Sequence, residues 1–144
     1  MQMRNADVLK GSERFSISVD DNLLMVVVRF LGDCSLQDHC QARNCIAEQI
    51  VRSKVPIHRV LVDMTESPFP EVTCMEEYGF AESLSKYFLI GTRVAIVEPR
   101  FRRDYSFAEN VACNRGIRTK FFRQRCEAIG WLTDQVCGDE MERT

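Results

Sequence analysis

The sequence predicts an α/β fold: a five-stranded mixed sheet, an N-terminal antiparallel hairpin followed by parallel βα units, in the order β-β-α-β-α-β-α-β-α. Three observations carry this. Val60, Leu61 and Val62, within the run His58 to Asp63, are consecutive and apolar, so both faces of that strand are covered. The run Arg93 to Glu98 repeats the pattern about thirty residues later, a separation that holds one helix, as a βαβ unit requires. Phe15, Ile17 and Val19 alternate with Ser16, Ser18 and Asp20, the pattern of a half-buried edge strand.

Residues 1–13 are polar and read as a loose lead-in to a single domain over 14–137, with 138–144 a frayed tail. Asp20-Asp21-Asn22 is a turn, because Asp and Asn bond locally to the backbone. It joins the first strand to a second, Leu23 to Phe30, as a hairpin. Ser35 with Asp38 predicts the start of a helix whose inner stripe is Leu36, Cys40, Ala47, Ile50 and Val51, with Ile46 beside it. Arg43 interrupts that stripe and has to snorkel or pair. Pro56 ends the helix ahead of the central strand. Thr73 with Glu76 is a second capping box, opening a helix with Cys74, Tyr78, Ala81, Leu84 and Phe88 at helical spacing. A third helix is expected from about Phe101 to Arg115, stopped by Gly116. Arg118 to Phe122 is a short last strand, at an edge because of its charges. A closing helix from Gln124 carries Cys126, Ile129, Leu132 and Val136 on its stripe.

At 144 residues the chain can bury a core of its own, and 45% hydrophobic with 28% charged residues is an ordinary globular balance. A net charge of -2 gives no global field toward nucleic acid. The longest apolar run is far too short to span a bilayer, and the first residues lack a signal-peptide core, so a cytoplasmic protein is expected. The seven cysteines read as free thiols, mostly small buried hydrophobes. Cys40 and Cys45 lie about 140° apart on one helix and no CxxC pair occurs, so no metal is expected with Cys34 and His39.

Arg100, Arg102 and Arg103 follow the fourth strand, at the carboxyl end of a parallel strand, where guanidinium forks and helix N–H groups suit a phosphate or carboxylate. Asp63, Thr65, Glu66 and Ser67 sit at the mouth of the central strand, with Asp63 read as a turn cap. His39 and His58 have no visible link to a nucleophile, and no phosphate loop or Gly-x-Ser-x-Gly occurs, so no enzyme, catalytic residue or cofactor is expected. Tyr78, Phe80, Tyr87 and Phe88 crowd the second helix on more than one side. Such crowding implies an interaction face, a homodimer through this helix, or an apolar pocket beneath it. Trp131 reads as the anchor of the closing helix on the sheet.

Val94-Ala95-Ile96-Val97, Phe107-Ala108, Lys120-Phe121-Phe122-Arg123 and Glu127-Ala128-Ile129-Gly130-Trp131-Leu132, with Val60-Leu61-Val62-Asp63, together resemble the SpoIIAA-like small bacterial proteins, related in fold to STAS and CRAL-TRIO domains. The resemblance runs over about residues 14–135. It implies a non-enzymatic regulatory module that binds a protein partner or itself, or else a binder of a small anionic or lipid-like ligand of CRAL-TRIO character. STAS-type antagonists of anti-sigma factors are phosphorylated on a Ser after Asp at the start of the helix following the central strand. Here that stretch reads Glu71-Val72-Thr73-Cys74, so the dipeptide is absent and Thr73 is the nearest counterpart of the phosphoacceptor.

Overall fold

The computed structural model describes residues 3–5, 14–99 and 106–135. Among these residues six strands lie in one sheet in sequence order: β1 (Met3–Asn5), β2 (Phe15–Asp20), β3 (Met25–Leu31), β4 (Arg59–Glu66), β5 (Arg93–Val97) and β6 (Arg118–Phe122). β2 and β3 pair antiparallel, and β3 through β6 run parallel, as the hairpin and βα units require. β1 is a departure from the expected five strands. It lies within the stretch read as a lead-in and adds antiparallel to β2, Arg4 opposite Val19. An edge can accept such a strand through backbone bonds alone, which leaves no signal in the side-chain pattern.

β4 is interior, in register with β3 through Val60 opposite Val26 and with β5 through Val60 opposite Val94. Among the described residues four helices cover the sheet: α1 (Leu36–Arg52), α2 (Cys74–Tyr87), α3 (Ser106–Asn114) and α4 (Arg125–Thr133). The period-2 geometry of a strand sends alternate residues to opposite faces. Val26, Val28, Val60, Met64 and Val94 enter a core with residues of α1 and α2, including Ala42, Ile46 and Leu84. Met25, Val27, Leu61, Ala95 and Val97 enter a second core with Ala128 and Leu132 of α4. β2 gives Phe15, Ile17 and Val19 to the first core only, which accounts for its polar alternate residues.

Local chemistry sets the boundaries. Ser35 and Asp38 form the reciprocal box of α1, and Thr73 and Glu76 that of α2. Asp20 Oδ1 accepts the N–H groups of Asn22 and Leu23, both at 3.0 Å, and Leu24 takes φ +53° before β3 begins. α3 is stopped by Gly116 at φ +91°, a conformation that costs glycine little. The inner face of α1 differs from the expected stripe: His39, Ala42, Cys45 and Ile46 are buried, and Val51 is 82% exposed. The helix is rotated so that its small residues and its histidine meet the sheet.

The thiols also divide. Cys34 and Cys45 are buried free thiols and Cys74 and Cys113 exposed ones, whereas Cys126 is disulfide-bonded. The reading of seven free cysteines therefore fails at Cys126. Cys137 lies outside the described residues.

Candidate functional site: an apolar slot beneath the second helix

Three helices cannot mesh completely with the large side chains on the first face of the sheet. Between them lies a cavity of about 80 Å³. Its floor is Val28 and Phe30 of β3, Val60, Val62 and Met64 of β4, Val94 and Ile96 of β5, and Thr119 and Phe121 of β6. Its roof is α2, through Phe80, Ala81 and Leu84, with Phe88 just past the helix and α1 at one side. From Val60 to Met64 the floor runs roughly 13 Å along the strand, so the space is a slender slot. A water needs about 10–15 Å³ on this kind of measure, and an engineered apolar cavity that takes benzene holds about 150 Å³. The slot therefore admits a narrow molecule and excludes a bulky one.

Val62, Ile96 and Phe121 are in register across β4, β5 and β6 and are only partly buried, as are Phe69 and Ala108. They mark the open end, which lies toward the carboxyl ends of the parallel strands. Open α/β sheets hold their ligands at that end.

His39 of α1 stands in the wall near this opening, 4% exposed. Its ring stacks on Phe30 with centroids 4.0 Å apart, and the edge of Phe69 closes it at 4.7 Å. Burial pushes its pKa from 6.5 down to about 4, against a smaller upward pull from Asp38. The ring is therefore neutral near pH 7. Its Nε2 has no hydrogen-bond partner. Ser67 Oγ, buried in the loop after β4, is the other such side-chain atom among the described residues. The buried Glu77 of α2 is also in the wall.

Arg43 closes one flank. Its guanidinium lies over the Tyr87 ring at 4.1 Å, donates to Ser83 Oγ at 2.7 Å and to Asn44 Oδ1 at 3.1 Å, and so ties α1 to α2. On the other flank Arg115 donates to Tyr78 Oη at 2.9 Å and to Glu82 Oε2 at 3.1 Å, tying α3 to α2. Glu98, buried after β5, accepts the Phe69 N–H at 3.2 Å and holds the loop that carries Phe69 over the opening.

The residues singled out in the sequence fall differently. Arg100, Arg102 and Arg103 lie outside the described residues. Thr73 is the exposed N-cap of α2: its Oγ1 accepts the Glu76 N–H at 3.1 Å and its own N–H donates to Glu76 Oε1 at 2.9 Å. The four aromatics of α2 and its C-cap do not form one exposed face. Phe88 is buried in the core, Phe80 lines the slot, Tyr78 is engaged with Arg115, and Tyr87 is exposed beneath Arg43. Side-chain direction around the helix separates them, which crowding in the sequence does not reveal. Asp63 is a turn cap, its Oδ1 accepting the Thr65 N–H at 2.9 Å, and its Oδ2 meets Arg125 of α4 at 2.9 Å. Glu66 is paired with Arg29. His39, Glu77 and Glu98 were not foreseen as site residues. A histidine near the start of a capped helix, three residues before Ala42, was the available signal for the first.

Among the described residues no group of three or more His, Cys, Asp or Glu is placed to hold a metal ion, and no helix is long and apolar enough to cross a membrane.

No family model matches the chain, and no curated protein does. Among solved structures it is similar to an uncharacterised protein of the DUF3478 family from Shewanella loihica PV-4, described as having a SpoIIAA-like fold. The identity is 20%, the TM-score 0.52, and the match covers 85% of this chain and 97% of the other. At that identity the likeness speaks to architecture alone, and it agrees with the strand order and helix placement above: the chain has a SpoIIAA-like fold.

Proposed function

We propose that this protein is a binding protein, without catalytic activity of its own, that takes a small, slender, largely apolar molecule into the slot between α2 and the sheet. The observation that supports it is the slot itself. A void in a protein interior forfeits dispersion contacts along its whole lining, and natural cores are otherwise packed to crystal density. An opening at the carboxyl ends of the strands, with one neutral polar group beside it, is the arrangement of a ligand site. Of the two roles implied by the SpoIIAA-like resemblance, small-ligand binding draws more support than regulation through a partner. The head-group site lies at His39 in this reading.

Methyl NMR tests this. Straight-chain apolar compounds should shift the methyl signals of Ile46, Val60, Leu84 and Val94, and leave Leu132 on the far side of the sheet unmoved. Shifts of equal size on both faces, or none, would remove the proposal.

A second reading, contact with a protein partner or a second copy, is favoured by Tyr87, Leu89 and Ile90, which are exposed together at the end of α2. Sedimentation of the native chain against Ile90→Lys at high concentration decides it: an association that the lysine abolishes supports it, and a monomer in both cases rejects it.

A further inference from the structure

We infer that the slot selects a slender aliphatic molecule whose polar end is an uncharged hydroxyl, hydrogen-bonded to Nε2 of His39. This rests on the ligand-binding reading above and adds to it the chemical class of the ligand and the residue that determines it.

His39 Nε2 is buried and has no hydrogen-bond partner. A buried polar atom without a partner carries a desolvation penalty that native structures rarely leave standing. The ring cannot swing out to find water, because Phe30 stacks on it at 4.0 Å and Phe69 and Phe80 meet it edge-on at 4.7 and 6.3 Å. The missing partner has to come to the ring, through the slot that the ring lines. A hydroxyl carries both a donor hydrogen and acceptor lone pairs, so it satisfies Nε2 in either tautomer of the neutral imidazole.

The surroundings disfavour a charged head group. An anion would stand in an apolar chamber with the Glu77 carboxylate in its wall. Among the described lining residues the one cation is Arg43, and it is turned to Ser83, Asn44 and the Tyr87 ring. A cationic head group would need a carboxylate to itself, and Glu77 already has an interaction of its own. Burying an ion without a dedicated partner costs several kcal/mol, far more than one hydrogen bond returns. The aliphatic part follows from shape: a floor roughly 13 Å long with a volume of about 80 Å³ accepts an extended chain more readily than a ring system.

The chain has two histidines, His39 and the exposed His58, so the imidazole nitrogens are readily assigned in ¹⁵N-histidine-labelled protein. The experiment titrates that protein at pH 7 with 1-butanol, butanoate and butylamine. The expected result is that 1-butanol moves the His39 Nε2 resonance, leaves His58 unchanged, and binds at least about tenfold more tightly than either ion. In His39→Leu the alcohol should lose about tenfold in affinity and with it the preference over the ions. If butanoate or butylamine binds the native protein as tightly as the alcohol, the head-group assignment is wrong while the slot stands as a ligand site. Alcohol binding that leaves the His39 nitrogens unmoved overturns it equally, and this measurement needs no variant to fold. If none of the three compounds binds, the ligand-binding reading fails and this inference falls with it.

Discussion

The two faces of the sheet solve the same burial problem in opposite ways. On the α4 face the contact is made by small residues: Ala95 of β5 and Ala128 and Gly130 of α4 are all buried and let the helix settle close to the strands. Leu61 and Leu132 fill what is left, both fully buried. The charged groups at its margin are paired. Asp63 meets Arg125 at 2.9 Å, and Arg93 reaches the Trp131 carbonyl and Asp134, each at 2.8 Å, with its guanidinium over the Trp131 ring. The opposite face is roofed by three helices on bulky aromatics, and it contains both the slot and the unpartnered imidazole. The lesson is that packing quality within one small domain is not uniform. The α2 face carries the features that a ligand would use.

Truncation gives the largest effect and tests the comparison directly. Leu132→Ala opens a void in a filled core and should cost about 4 kcal/mol, whereas Leu84→Ala enlarges an existing slot and should cost about 2. Urea unfolding of both variants decides. Equal costs, or the reverse order, would mean that the two faces are packed alike.

Next in size is a dependence on pH confined to the slot face. The folded-state pKa of His39 is held near 4 against 6.5 for the free side chain. Between those values the unfolded chain binds more protons than the folded one. The stability contributed by keeping the ring neutral is therefore complete above about pH 6.5 and is lost as the pH falls toward 4, by about 3 kcal/mol in all. His39→Leu should flatten this part of the profile while leaving the carboxylate titrations in place. A variant whose stability falls between pH 6.5 and 4.5 as steeply as the native protein's would show that the ring is not neutral when folded.

These two tests separate what could be read from the sequence from what could not. The order of elements was legible because it rests on local signals with one physical reading each. Val60-Leu61-Val62 has no polar alternation and is interior; Phe15, Ile17 and Val19 alternate with polar residues and belong to a strand covered on one side. Ser35 and Thr73 cap where their carboxylate partners three positions on require them to. β1 escaped because Met3-Arg4-Asn5 pairs through backbone groups, which every residue has. The face of α1 was misjudged because Ile50 and Val51 outweigh Ala42 on any apolar count, although small size is what brought Ala42 against the sheet. The slot was foreseen only as one possible consequence of aromatic crowding on α2. A void is defined by what neighbouring side chains fail to fill, and that depends on rotamers and helix rotation set by the whole assembly. His39 was passed over for the same reason, since a missing partner cannot be seen in a sequence.

The smallest effect is also the most discriminating, because it changes sign between the faces. Ala81 of α2 is buried and lines the slot. Leucine there would place its added carbons in empty space, on a helix that leucine favours nearly as well as alanine does. Ala81→Leu should therefore raise stability by up to about 1 kcal/mol and at the same time obstruct the entry of any ligand. Ala128 of α4 is equally buried but meets a filled core, so Ala128→Leu should lower stability by about 1–3 kcal/mol through overpacking. Thermal unfolding of the two variants, with methyl NMR of Ala81→Leu in the presence of a straight-chain alcohol, reads both effects together. A destabilised Ala81→Leu would mean that the slot already closes on itself in solution. A stabilised one that still admits the alcohol would place the ligand somewhere other than beneath α2.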